Sequence, residues 1–194
     1  MTAAPPPPAT GFRHTRLVVA FLLLGVTGAI SLAGFGPLKK ELGKDADGRV
    51  IEDAILDTRP WYTAKDAFAV FTRWNRVQLD KYRRMLLGLD IVFPLAYGSL
   101  FVVLTAIAFG VRLRDLRKHW LLLILPIASV LADYGENLSI VFGLIDPFTS
   151  KQPVGFLGNM AGYMTAAKWV LIACTMTVML VGAHFTGLRA EKSR

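Results

Sequence analysis

The sequence predicts an all-α fold, a four-helix transmembrane bundle with an external amphipathic helix between the first and second spans. Three observations predict it. The 194-residue chain holds four apolar runs, at about 17–36, 85–110, 120–144 and 156–185, and each reaches the roughly 20 residues that a spanning helix needs. The composition is 54% hydrophobic and only 19% charged, with mean hydropathy +0.46, which is that of a membrane protein rather than an ordinary soluble domain. The basic residues gather at the ends of the runs, where lysine and arginine anchor helices to phospholipid headgroups. That placement accounts for the net charge of +8 without nucleic acid. No RNP-like motif, zinc finger or basic recognition helix is legible, so membrane lipids are the expected partners and nucleic acid is not.

Residues 1–16 read as a disordered arm, with the extended run Pro5-Pro6-Pro7-Pro8 followed by Arg13, His14 and Arg16. The membrane domain is expected over 17–186. Its first run admits a second reading. Basic residues, the apolar stretch from Leu17 to Leu24 and the small-x-small site Ser31-Leu32-Ala33 have the form of a secretory signal. An uncleaved helix is preferred, because the apolar run continues to Phe35, beyond a typical signal core. Gly25, Gly28 and Ala29 supply small residues that let membrane helices approach.

The 37–84 loop is too long for a tight connection and is expected to carry structure of its own. Thr63 with Asp66 three residues on has the form of a helix N-cap, with aspartate in place of the usual Glu or Gln. Ala67, Phe68, Phe71 and Trp74 then recur at helical spacing, with Lys65, Arg73, Arg76, Asp80 and Lys81 between them. This reads as one amphipathic helix, either packed outside the bundle or lying over its mouth as a lid. The last run is long enough to span with tilt or to extend into water, and a basic tail follows over 187–194. The arm, the 111–119 loop and the tail hold nine basic and two acidic residues. The other two loops hold twelve and nine over nearly twice the length. That density places both termini in the cytoplasm.

The unusual residues lie inside the apolar runs. An ionised carboxylate in a bilayer costs several kcal/mol unless paired, solvated or protonated, so by default it marks function. Asp90, Phe93, Pro94 and Tyr97 share one face of the second helix. Asp133, Glu136 and Asn137 share one face of the third, extended by Ser129 and Pro126. Both faces should point into the bundle. At about 1.5 Å per residue, Tyr97, Asp133 and Lys168 fall near the midplane, and Asp90, Glu136, Asn137, Asn159 and Tyr163 in the outer half. The inference is a polar pocket between helices 2, 3 and 4 that opens outward. Its candidate ligand-binding residues are Asp90, Tyr97, Asp133, Glu136, Asn137, Tyr163 and Lys168. One conflict is built in: on an ideal helix Lys168 points about 180° from Asn159 and about 140° from Tyr163, so one of these faces lies outside the cleft.

Structural readings compete at each position. Asp133 with Lys168 also makes an ion pair, Asn137 an interhelical hydrogen bond, Pro94 and Pro126 simple kinks. The acids could take a hard cation through oxygen, or carry protons as general acid and base. No resident metal or cofactor is expected. His14, His119 and His184 form no HxxxH or HxxE pattern, which argues against di-iron hydroxylases and zinc intramembrane proteases. The single cysteine, Cys174, excludes an intramolecular disulfide.

Leu89-Asp90-x-x-Phe93-Pro94-x-x-Tyr97-Gly98 on helix 2, paired with Asp133-x-x-Glu136-Asn137 on helix 3, resembles a group of uncharacterised small membrane proteins with LDxxFPxxYG and DxxEN motifs. Tyr82-Arg83-Arg84 is similar to the end of the interfacial helix that precedes the first motif in that group. The resemblance covers roughly residues 60–145 and implies no activity. By architecture alone the chain is similar to four-helix membrane isomerases and lipid-binding proteins of the EXPERA type, with no residue motif in common. The expected function is binding of a lipid-like or small amphiphilic ligand in an acidic intramembrane pocket. A carboxylate enzyme acting on a lipid, or a structural or assembly subunit with a membrane-protein or homo-oligomeric partner, are the alternatives.

Overall fold

The computed structural model describes residues 11–191, with side chains described over 15–186. Helix α1 (Gly11–Ala29) passes through a wide π turn (Ile30–Phe35) into α2 (Gly36–Leu42). A 3₁₀ turn at Leu56–Thr58 precedes α3 (Ala64–Phe71) and α4 (Arg76–Leu87), and α4 leads at Gly88 into α5 (Leu89–Ala108). Helix α6 (Leu121–Ile140) continues through a second π turn (Val141–Ile145) into α7 (Asp146–Ser150), and α8 (Phe156–Glu191) follows. Four composite helices are long and apolar enough to cross a bilayer: Thr15–Leu42, Arg76–Ala108, Leu121–Ser150 and Phe156–Thr186. The fold is the all-α bundle the sequence predicts, a membrane protein by its spans. Among the described residues the one β contact is an isolated bridge between Lys44 and Val50.

Several boundaries differ from expectation. Residues 11–16, assigned to the disordered arm, continue the first helix, and 1–10 lie outside the described residues. Most of the expected tail continues α8 as far as Glu191, and 192–194 lie outside the described residues. The single amphipathic helix after Thr63 is two helices. The break at 72–75 comes from a second capping box. Asn75 Oδ1 accepts from Gln78 N (2.9 Å), and Gln78 Oε1 accepts from Asn75 N (3.0 Å). Once these end groups are satisfied locally, a new helix start is stable and Trp74 turns inward, where its Nε1 donates to Leu42 O at 2.8 Å. Truncating Asn75 to alanine is expected to cost about 1 kcal/mol, read as a lowered thermal midpoint of the purified protein.

The cap at Thr63 forms as the spacing suggests. Asp66 accepts from the Thr63 hydroxyl (2.6 Å) and amide (2.8 Å), and Thr63 Oγ1 accepts from Asp66 N (3.2 Å). The hydroxyl bond first, and the amide bond second, hold the Asp66 carboxyl below the usual carboxylate range. A depressed folded-state value stabilises the protein above the unfolded value, and the contribution is lost as pH falls through the lowered one.

Residues 37–87 build a cap packed over one end of the bundle. Leu42, Leu56, Tyr62, Phe71, Trp74, Tyr82 and Leu86 are buried with Ile140, Val141, Leu144 and Ile145 from the end of the third span and Ala161 of α8. Phe71 packs edge-on to Phe148 (centroids 5.5 Å apart), and Trp74 packs on Tyr82 (5.2 Å). Such pairs contribute about 0.5–1.5 kcal/mol each beyond area burial. Ion pairs clamp the rim: Arg83 to Asp146 (2.7 Å), Arg73 to Asp45 (3.3 Å), and Lys81 to Glu41. At the other end α1 is peripheral. It meets α5 through a small cluster of Ala20, Leu100 and Val103, and it leaves Val18, Phe21, Leu22 and Leu24 exposed, as a lipid-facing helix does.

The π turn in the third span has a packing reason. It presses Gly143 onto Gly158, and a Cβ on Gly143 would overlap Gly158 N and stand 2.6 Å from the Leu157 carbonyl carbon. Two helices this close admit only hydrogen at the contact.

Candidate functional site

Beneath the cap, α5, α6 and α8 bring the acids together. Lys168 is the hub, 5% exposed although it lies in a spanning helix. Its Nζ is 2.5 Å from Glu136 Oε2 and 3.4 Å from Asp133 Oδ1, and it donates to the backbone carbonyl of Asp57 at 3.1 Å. The Glu136 Oε2 contact falls outside hydrogen-bond geometry and is an ion pair. Tyr97 donates its hydroxyl to Asp133 Oδ2 at 2.9 Å, with the Ser129 carbonyl at 3.3 Å as its other acceptor. Thr165 donates to Glu136 Oε1 at 2.5 Å. Asn137 donates from Nδ2 to the Asp90 backbone carbonyl at 3.1 Å and so ties α6 to α5.

Helical periodicity explains which residues arrive. Asp133, Glu136 and Asn137 are one turn apart and face inward together, and Ala161, Thr165 and Lys168 do the same on α8. That settles the conflict on the fourth helix. Lys168 is inside. Tyr163 is 61% exposed and Asn159 is also exposed, so neither lines the cluster. Helix α8 runs unbroken through 156–191, with no break that would turn them in. Pro94 and Pro126 sit within continuous helices.

The outward opening is not observed either. The strap around residues 56–63 lies across the mouth. Besides the Asp57 carbonyl on Lys168, Arg59 O accepts from Trp169 Nε1 at 3.0 Å, and Tyr62 backbone packs directly on Gly162. The strap also adds residues that sequence reading missed. Asp57 acts electrostatically on Asp90, Asp133 and Glu136, making a fourth acid around one lysine. Tyr62, 2% exposed, has its hydroxyl pushed well above the ordinary tyrosine range by burial, and by the charge of Glu136. Asp57 lies in a single 3₁₀ turn, too short to leave a periodic signal. Thr165, one turn before Lys168, carried a signal that helical spacing from Lys168 would have caught.

Not every polar atom in the cluster is answered. Asp57 Oδ1, Asp90 Oδ2 and Asn137 Oδ1, with the hydroxyls of Tyr62 and Tyr82, are buried without a hydrogen-bond partner. Native proteins leave few such atoms, and a group of them in one place calls for a physical reason. Among the described residues no group of three or more His, Cys, Asp or Glu side chains is placed to hold a metal ion.

No protein-family model, curated protein or solved structure matches the chain. The chemistry of the cluster therefore rests on its own residues.

Proposed function

We propose that this is an integral membrane protein that binds a lipid-like or small amphiphilic ligand at the acidic cluster under the cap. The observation that carries the reading is the set of orphaned polar atoms at Asp57, Asp90, Asn137, Tyr62 and Tyr82. A purely structural network stabilises the bundle only when its members are satisfied, and a half-satisfied one is worse than an apolar core. A bound partner that answers these atoms removes the cost.

The surroundings support an amphiphile. A groove of about 490 Å³ between α1, α5 and α6 is lined by apolar side chains such as Leu95, Val102 and Val130. Its lining residue Gly98 follows Tyr97, and Val130 precedes Asp133 by one turn, so the groove runs along the two helices that carry the cluster. The strap that closes the outer mouth further favours access from the lipid side. The basic density of the arm, the 111–119 loop and the tail supports a cytoplasmic location for both termini, with the cap on the opposite face. The contact of Tyr97 with Asp133 and of Asn137 with Asp90 joins the LDxxFPxxYG and DxxEN segments in one site.

Native mass spectrometry of the full chain in mild detergent, with lipid extraction, tests the function. Wild type is expected to carry a bound lipid-like species that disappears in folded Glu136→Gln. Absence of any bound species in wild type, with a large loss of thermal stability in the variant, would assign the acids to helix association. The two buried contacts of Glu136, to Lys168 and Thr165, are what a structural role would use.

A further inference from the structure

We propose that the head of the ligand is a primary ammonium, bound between Asp57, Asp90 and Asn137. The inference rests on the ligand-binding reading above and names the chemical class that reading leaves open.

The unanswered atoms are of one kind. Asp57 Oδ1, Asp90 Oδ2 and Asn137 Oδ1 are all oxygens that accept, the hydroxyls of Tyr62 and Tyr82 can accept as well as donate, Glu136 Oε2 already faces Lys168, and Thr105 Oγ1 lies further along α5. Asp90 and Asn137 are each 3% exposed, so bulk solvent does not reach them. The Asn137 amide nitrogen donates to the Asp90 carbonyl and also serves the Asp90 carboxyl, which leaves Asn137 Oδ1 and Asp90 Oδ2 as the free ends. What is missing is therefore a donor.

The charge is as one-sided as the hydrogen bonding. Asp57, Asp90, Asp133 and Glu136 share a single lysine. Lys168 spends its contacts on Glu136, Asp133 and the Asp57 backbone carbonyl. It does not answer the Asp57 or Asp90 carboxylate oxygens that remain bare. A buried carboxylate in this position takes either a proton or a cation. A second cation with several N–H groups answers both the charge and the empty acceptors.

The geometry selects among cations. A metal ion demands oxygens converged at about 2.0–2.6 Å, and among the described residues no three His, Cys, Asp or Glu side chains converge in that way. A quaternary ammonium has the charge but no N–H to give. A primary ammonium carries three donors and reaches acceptors at about 2.7–3.2 Å, so it suits oxygens spread over α5, α6 and the strap. An anionic headgroup would be repelled by every one of these acids that is ionised.

Alkyl probes of one chain length separate head chemistry from detergent effects. Thermal unfolding of the full-length protein in a neutral detergent is measured with decylammonium, decyltrimethylammonium, decanol and decyl phosphate, for wild type, Asp90→Asn and Asp57→Asn. Decylammonium near saturation is expected to raise the wild-type midpoint by roughly 5–10 °C, the others by far less, and the rise is expected to shrink in both variants. Asp57→Asn alters a partly exposed strap residue and decides the matter where Asp90→Asn does not fold. A site-dependent rise that is as large with decanol, decyltrimethylammonium or decyl phosphate would overturn the ammonium head while leaving the amphiphile site standing. No rise with any probe, or one equal in wild type and both variants, would overturn the site itself and leave Asp90 as a carboxyl that carries its own proton.

Discussion

Replacing Lys168 with methionine is expected to destabilise the protein by about 3–5 kcal/mol, the cost of breaking a buried pair from one side. The methionine keeps the length and apolar stem of the lysine, so lost packing contributes little. What is lost is the ammonium that stands 2.5 Å from Glu136 and 3.4 Å from Asp133, both nearly inaccessible to solvent. The Asp57 carbonyl loses its donor in the same stroke. Adding Glu136→Gln to the methionine variant removes one uncompensated charge and should restore part of the loss. The two substitutions are then non-additive, with a coupling of roughly 0.5–3 kcal/mol. Equilibrium unfolding in a mild detergent measures all three proteins. A loss of under about 1 kcal/mol, the range of solvent-exposed pairs, would mean that the lysine is not the cation that holds these acids.

The size of that effect follows from features the sequence displays. Four apolar runs of membrane length and acids at i, i+3 and i+4 spacing are local patterns, and the bundle and the inward faces of α5 and α6 follow from them. The helix 4 conflict was also visible, since the angle between Lys168 and Tyr163 is a property of the helix alone. Its resolution was not, because which face of α8 turns inward depends on what α6 presents to it. Buried acids at 133 and 136 decide in favour of the lysine.

The cap illustrates the opposite case. The Thr63 box was legible as a local signal, and Asn75-x-x-Gln78 was equally local but hidden by the amphipathic pattern running across it. The course of the strap is set by long-range contacts: Arg59 O with Trp169, Asp57 O with Lys168, and Tyr62 with Gly162. None of these leaves a periodic trace in residues 56–63. The expected open mouth was wrong for that reason, and Asp57, the fourth acid, was invisible with it.

Gly162→Leu is expected to lift the strap while leaving the bundle folded. A Cβ at this position would overlap the Tyr62 carbonyl oxygen and stand 3.0 Å from its carbon and 3.2 Å from its nitrogen. These are backbone atoms, and a rotamer change does not move them aside. The strap must shift, giving up the Arg59 bond to Trp169 and the Asp57 bond to Lys168, which lie nearly two turns further along α8. Overpacking of this kind costs about 1–3 kcal/mol. If the cost falls on the strap alone, amide hydrogen exchange over 56–63 accelerates by roughly 5- to 150-fold while exchange in α5 and α6 stays slow. Gly158→Leu is the control. Its Cβ would overlap the Gly143 carbonyl oxygen, so it separates α8 from the end of the third span and should loosen both helices. Equal acceleration of strap and bundle in Gly162→Leu would show one cooperative unit in which the strap does not open by itself. Selective opening would give the buried acids a route to the outer face, alongside access from the lipid side.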